Sequence, residues 1–320
     1  MKSVKIFLTG ITGFIGNRLA EKLVENGHDI HAIVRYRAAE DFTTKPRRIE
    51  GISYYECNLN DYIGLQRIVT NVEPEMILHL AALSPVRHSF SNPIEYQYTN
   101  YLSTIQLIHT SIGLPCFRKF IFASTMETYG WQKQHKPFTE DLPLNPASPY
   151  AVSKVAAERY IQMAGKAYNL PYLVVKPCNT FGRQRSTEFI TEYLITEMLQ
   201  NKTPRIGSPD AVRDLMYITD HLNAYLTAIS SPIDHGTYNF GLGSTLTMLE
   251  LAELIKEKIG YSGKIKTGFP DNYPTRPIVD PFLSLDATKA KKDLGWEPKV
   301  SINEGLDMTI EYWRKKLQES

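Results

Sequence analysis

Short apolar runs alternate with stretches of helical period through the first half of the chain. Val4–Leu8, Ile30–Val34, Ser53–Glu56, Met76–Leu80 and Lys119–Ala123 read as strands. Between them, the spacing predicts helices over Gly16–Asn26, with Leu19, Leu23 and Val24 on one face, and over Tyr62–Asn71 and Ile94–Gly113. Strands alternating with helices predict parallel pairing through helical crossovers, hence an α/β fold built on a doubly wound parallel sheet. Met76-Ile77-Leu78 is apolar at every position, as a strand covered on both faces requires. A helix over Ser148–Tyr168 and a strand over Tyr172–Lys176 continue the pattern to Pro177. Beyond it the alternation loosens into loops, with helices predicted near Phe189–Leu199, His221–Ile229, Leu249–Ile259 and Ile302–Gln318. The expected division is a domain over residues 1–177 and a smaller C-terminal α/β lobe over 178–320, some of it returning to the sheet.

Composition narrows the class without choosing a function. The 320 residues are 42% hydrophobic and 22% charged, which fits a globular chain and excludes disordered and collagen-like ones. Net charge is +2 with the signs well mixed, and no sustained basic run of the kind that binds nucleic acid is present. Cys57, Cys116 and Cys178 lie far apart without metal-ligand spacing, which argues against a disulfide framework and a zinc site. No apolar stretch reaches about eighteen residues, so no membrane span is expected. The first ten residues lack a signal-peptide pattern, and a cytoplasmic protein is expected.

The first strand runs into Thr9-Gly10-Ile11-Thr12-Gly13-Phe14-Ile15-Gly16, which opens a helix. Glycines in that position allow a tight turn, close approach of backbone to a pyrophosphate, and close helix–strand packing. The helix start offers N–H groups and the positive end of a dipole. Gly10, Thr12, Gly13, Phe14, Ile15 and Gly16 are therefore candidate dinucleotide-binding residues. The second strand ends in Val34-Arg35, where an NAD enzyme usually has an acidic residue. Arg35 can instead form a charge-assisted fork with a 2′-phosphate, which points to NADP and leaves NAD as the alternative.

Tyr150 and Lys154 stand four apart on a predicted helix, hence on one face. An ammonium there stabilises a phenolate and lowers its pKa, so that tyrosine can take a proton from a sugar hydroxyl as hydride leaves the same carbon. Of the pair alone, a packed tyrosine and a solvated lysine is the default reading.

The Gly-x-x-Gly-x-x-Gly spacing and Tyr-x-x-x-Lys, with Ala123-Ser124-Thr125-Met126-Glu127-Thr128-Tyr129-Gly130 between them, resemble the extended short-chain dehydrogenase/reductase family of nucleotide-sugar epimerases and dehydratases. The resemblance implies a Rossmann fold and assigns Thr125 to the hydrogen bond with the reacting oxygen. It sets Asn58 and Leu59 beside the adenine, Asn58 replacing a usual acidic residue, and Leu80, Ala81 and Ala82 beneath the cofactor. It also implies a nucleotide-diphosphate hexose as substrate, held by Ser84, by Asn179 in Lys176-Pro177-Cys178-Asn179, by Arg213 in Arg213-Asp214-Leu215-Met216-Tyr217, and by Arg276. A homodimer or higher oligomer, pairing through Ile94–Gly113 and Ser148–Tyr168, is implied as well.

The reaction is less determined. Glu127 stands where 4,6-dehydratases of the family keep a glutamate base, and Thr125, Glu127, Tyr150 and Lys154 form the candidate catalytic set. Met126 has no proton to donate, which disfavours the dTDP-glucose type and leaves the GDP-mannose type open. The segments Val34-Arg35, Ser208–Asp214 and Arg276–Ala290 lean toward the GDP-mannose 4,6-dehydratase-like members, whereas the loop Gly182–Phe189 lacks the Asn usual before its Phe. A C4 epimerase, a 4-keto-sugar reductase, a decarboxylase and a non-catalytic nucleotide-binding scaffold are the other readings.

Overall fold

The computed structural model describes residues 3–35, 48–269, 277 and 279–319. Its sheet begins with β1 (Lys5–Thr9), helix α1 (Phe14–Glu25), β2 (Asp29–Val34), β3 (Ile52–Glu56), α2 (Tyr62–Val72) and β4 (Met76–His79). The short helices α3 (Val86–Ser89) and α4 (Pro93–Tyr96) follow, then a π-helical segment Gln97–Leu102, α5 (Ser103–Ser111) and β5 (Lys119–Ala123). A 3-10 turn at Met126–Thr128 precedes α6 (Pro149–Tyr168) and β6 (Tyr172–Pro177).

After β6 come β7 (Asn179–Phe181), α7 (Ile190–Leu199), β8 (Arg205–Ile206), β9 (Val212–Arg213), β10 (Leu215–Tyr217), α8 (Ile218–Ser230) and β11 (His235–Phe240). The chain ends through β12 (Leu246–Thr247), α9 (Met248–Ile259), β13 (Lys266–Thr267), β14 (Phe282–Leu283), α10 (Thr288–Leu294) and α11 (Ile302–Gln318).

Seven strands form the main sheet in the order β11-β6-β5-β4-β1-β2-β3. β1 pairs in parallel with both β2 and β4, so the strand order reverses beside it, and the turns after β1 and β4 flank the crevice that this reversal opens. The sheet is the doubly wound parallel one that the alternating pattern predicts. Phe7, Ile77, Phe120 and Val174 carry its core, fully buried or nearly so, against Leu65 and Val69 of α2 and Ala157 and Ile161 of α6.

The chain clusters into two compact units. The first comprises Met1–Thr128, Ser148–Lys176 and Tyr225–Tyr238; the second comprises Tyr129–Ala147, Pro177–Ala224 and Asn239–Ser320. A separate core fills the second unit, where Leu194, Ile195, Leu251, Ile255 and Leu306 are fully buried. Short pairings complete it: β10 with β7, β12-β9-β14, and β13 with β8. Thr247 and Ser301 begin α9 and α11 with capping boxes, each contributing about 1 kcal/mol to its helix. Among the described residues no helix is long and apolar enough to cross a membrane.

The helix expected over Ile94–Gly113 is present but not uniformly α-helical. Its middle widens to the π form around Asn100, which is fully buried and uses its side-chain amide on the Leu83 backbone.

Candidate active site

At the crevice, Gly10 adopts φ +82°, and a Cβ there would stand 2.6 Å from the Ala81 nitrogen. A Cβ on Gly16 would overlap the Gly10 carbonyl. Both positions therefore require glycine, one for conformation and contact, the other for contact alone. Helix α1 starts after Gly13 with no side chain capping it. Its dipole end and the backbone amides of its first turn are thus presented without a competing side-chain acceptor. Thr12 and Gly13 are exposed, and Phe14 and Ile15 half-buried. Leu80, Ala81 and Ala82 lie directly after β4, with the Ala81 amide donating to Thr9 Oγ1 at 3.1 Å.

These residues fit a dinucleotide pyrophosphate, because the cradle has no room for a side chain where the phosphates would approach. Arg35 is exposed at the end of β2, and residues 36–47 lie outside the described residues. Asn58 is exposed, its Oδ1 accepting from the Asn60 amide at 3.0 Å, and Leu59 is buried.

The catalytic candidates converge from two elements of the same unit. Ser148 caps α6 by accepting from the Ala151 amide at 3.1 Å, and Pro149 takes the first helical position, where its missing N–H costs nothing. One turn then separates Tyr150 from Lys154, both buried. From the end of β5, Thr125 hydrogen-bonds the Tyr150 phenol. The 3-10 turn that follows buries Met126, Glu127 and Thr128, its Glu127 amide donating to Thr125 Oγ1 at 3.3 Å. Burial pushes the Tyr150 phenol well above its ordinary pKa; the Thr125 hydrogen bond opposes this, and the nearby Glu127 carboxylate adds to it.

Lys154, expected to stabilise a Tyr150 phenolate, has partners of its own in the structure. The Lys154 amine donates to the Ala123 carbonyl at 2.8 Å and lies 4.6 Å from the centre of the Phe122 ring. Burial lowers it to about 7, and Glu158, one turn further along α6, resists that fall.

Residues that the sequence reading did not single out complete this pocket. Glu158 is fully buried, accepts from Ser124 Oγ, and pairs with Lys176 at 2.9 Å. Its i+4 spacing from Lys154 was a readable signal. Tyr96 sets its ring edge-on to Tyr150 at 6.3 Å and donates to the Pro85 carbonyl at 2.7 Å. Asn100 donates to Ser153 Oγ at 3.0 Å, and Ser153 in turn to the Tyr150 carbonyl at 2.7 Å. Nothing in the local pattern marks Tyr96 or Asn100.

Of the substrate candidates, Ser84 is exposed in the loop after β4. Asn179 and Arg213 belong to the second unit. Asn179 opens β7, its amide donating to the Asp214 carbonyl at 3.2 Å, and the Arg213 guanidinium reaches the Val212 carbonyl at 2.7 Å. The neighbouring Asp214 is fully buried and accepts from the Gly243 amide at 3.1 Å and the Ser244 hydroxyl at 3.0 Å, which fixes the loop beside Arg213. Arg276 lies outside the described residues. Among the described residues no group of acidic, histidine or cysteine side chains is arranged to hold a metal.

Known proteins resemble the chain along nearly all of its length. A family model described as GDP-mannose 4,6 dehydratase matches residues 7–309. The UDP-glucose 4-epimerase of Thermotoga maritima, solved with UDP-glucose, is 32% identical with a TM-score of 0.86, over 98% of this chain and 99% of that one. The UDP-glucose 4-epimerase of Thermus thermophilus, solved with NAD, is 25% identical with a TM-score of 0.84, over 97% of this chain and 98% of its own. Similarity extends equally to the dTDP-glucose 4,6-dehydratase of Haemophilus influenzae, 27% identical over 339 residues, covering 97% of this chain and 98% of that protein.

Proposed function

We propose, for a chain that belongs to the GDP-mannose 4,6-dehydratase family of nucleotide-sugar enzymes, that it oxidises a nucleotide-linked hexose at C4 and removes water across C5 and C6. The product is a 4-keto-6-deoxy nucleotide sugar, and GDP-mannose is the favoured substrate. One observation carries this reading: Glu127 is buried on the turn after Thr125, close enough to Tyr150 to raise its pKa. A C4 oxidation needs only the tyrosine and its helpers, whereas elimination needs a second base, and a carboxylate beside the phenol supplies one.

A nicotinamide dinucleotide in the glycine-lined crevice supplies the acceptor for the C4 hydride and its return at C6. The chain's own residues move the protons. Tyr150, hydrogen-bonded by Thr125 and with the Lys154 ammonium one turn along α6 to favour its phenolate, takes the proton from O4. The C4 ketone acidifies the C5 hydrogen, which Glu127 removes. Met126 beside it holds no proton, so the Glu127 carboxyl itself returns one to the departing C6 hydroxyl. The proton held by Tyr150 restores the hydrogen at C5, and the atoms balance to the loss of one water.

The similarity to UDP-glucose 4-epimerases supports a second reading, C4 epimerisation, in which Glu127 only hydrogen-bonds sugar hydroxyls. Arg35 supports NADP through a fork to the 2′-phosphate, and the NAD bound to the Thermus thermophilus enzyme supports the other dinucleotide. Exposed apolar side chains on α6, α4 and the π-helical segment support pairing with a second copy.

Purified enzyme incubated with GDP-mannose, UDP-glucose and dTDP-glucose, with each dinucleotide titrated in parallel, tests all of this. Loss of one water by mass supports dehydration; an isomer of unchanged mass supports epimerisation. Glu127→Gln should abolish elimination and leave dinucleotide affinity unchanged. A variant that still dehydrates at the parent rate removes Glu127 from the role of base.

A further inference from the structure

A line of polar groups runs beneath the crevice from the glycine-rich turn to the helix that carries Tyr150. Its members Thr9, His79, Thr104 and Asn100 are fully buried, and all belong to the first compact unit. Thr9 and His79 are register partners at the ends of β1 and β4. Thr9 Oγ1 lies 2.8 Å from His79 Nδ1, and His79 Nε2 lies 3.0 Å from Thr104 Oγ1.

The protons in this line can be placed by counting donors, since each hydroxyl has only one. Thr104 gives its proton to the Asn100 carbonyl at 2.8 Å, so its oxygen faces His79 as an acceptor and Nε2 must carry hydrogen. Thr9 Oγ1 already accepts from the Ala81 amide, so it is free to give its own proton to a bare Nδ1. The other neutral tautomer draws the Thr104 hydroxyl away from the Asn100 carbonyl and leaves the Thr9 hydroxyl without an acceptor. The cation leaves the Thr9 hydroxyl without an acceptor. Either error strands a buried polar group. Burial, aided by the Lys154 charge, also holds the imidazole well below its ordinary range, to about 3.

Asn100 continues the line from its place in the π-helical segment. Its side chain holds the Leu83 backbone on one side and Ser153 Oγ on the other, and Ser153 reaches the Tyr150 carbonyl. The relay thus joins the Ala81 amide, which bounds the glycine cradle, to the backbone of the residue that handles the O4 proton.

We infer that His79 is a positioning residue, held in the neutral Nε2–H form, which sets the dinucleotide cradle and the catalytic tyrosine in one register. It touches neither substrate nor reacting atoms. The inference rests on the reading of the crevice as a dinucleotide site and of Tyr150 as the proton acceptor, and deepens it.

Thr104→Val breaks the relay at its far end, away from both the glycine turn and Tyr150. In the folded variant, dinucleotide Kd is expected to rise and kcat to fall, each by about tenfold, the equivalent of one lost hydrogen bond of roughly 1.4 kcal/mol. Thr104→Ser, which restores the hydroxyl, should return both. A merely structural role would lower the Tm and leave Kd and kcat per folded molecule at parent values, and that result overturns the inference. Nitrogen-15 spectra of the histidine-labelled parent read the tautomer directly. An Nε2–H imidazole unchanged from about pH 5.5 to 8.5 supports the assignment, and an Nδ1–H or titrating His79 overturns it. Should the parent bind neither dinucleotide, the functional reading itself falls; should it bind and Thr104→Val match it, only the relay falls.

Discussion

Lys154, proposed to favour the Tyr150 phenolate, does so at the expense of stability. Folding takes its amine out of water into a site where burial lowers the pKa from an ordinary 10.5 to about 7. Between those two values the unfolded chain binds a proton that the folded chain does not, so stability rises with pH across that window. Below about pH 7 both states are protonated and the penalty is fully present. Lys154→Met keeps the volume and removes the charge, so the variant should be inactive yet melt about 3 °C higher at pH 7, the gain shrinking toward pH 10. Calorimetry at the two pH values checks both size and sign, and a lower Tm at pH 7 would mean that the Ala123 and Phe122 contacts outweigh desolvation. This tension was not legible in the sequence. Tyr150, Lys154 and Thr125 stand out by order and spacing, because one helical turn and one strand end fix their neighbourhood. Where the Lys154 amine points depends on a carbonyl of another element, and no spacing within α6 encodes that. The same holds for His79, visible as part of a strand-end turn but with partners 70 and 25 residues away.

Elements were legible in proportion to their apolar periodicity. β5 and α11 run where the pattern places them, Lys119–Ala123 and Ile302–Gln318, because each has an unbroken run or stripe. β11 escaped because His235-Gly236-Thr237 is polar or small and only Tyr238, Asn239 and Phe240 are buried. The two-residue strands of the second unit are too short for any period to register, and α10 buries Ala290 alone, so it has no stripe to show. The π-helical turn is invisible for a different reason: its buried Asn100 bonds to Leu83, a tertiary contact that no local period encodes. The glycine turn, by contrast, was readable because steric demand is local. Gly16→Ala places a methyl against the Gly10 carbonyl, which must push α1 off the β1 turn. Dinucleotide affinity should fall by at least about tenfold while circular dichroism stays that of the parent. Unchanged affinity in that variant would show that the turn can widen without losing its ligand.

At the scale of the whole molecule, the distribution of exposed apolar side chains is uneven in a way that argues for a partner. Twelve large hydrophobic residues are exposed among the described residues, and six of them lie on two neighbouring helical segments of the first unit. Ile94, Tyr98 and Leu102 repeat every four residues before α5, while Val152, Met163 and Tyr168 lie along α6. Scattered singly, such residues need no explanation; Ile94, Tyr98 and Leu102, with Val152 and Met163 on one side of α6, fit an interaction surface better than chance scatter. A second copy is the natural cover, because a two-fold contact brings the same stripe against itself and buries both at once. Tyr98→Lys with Val152→Asp puts charge at the middle of that patch without touching Tyr150 or Lys154. Sedimentation at micromolar concentration should find the parent as a dimer and the double variant as a monomer. The catalytic helix would then lose the support of its counterpart, so the variant's Tm should fall and become independent of protein concentration, whereas that of a dimeric parent rises with it. A parent that sediments as a monomer, with a Tm equally insensitive to concentration, would leave this apolar face to some other occupant.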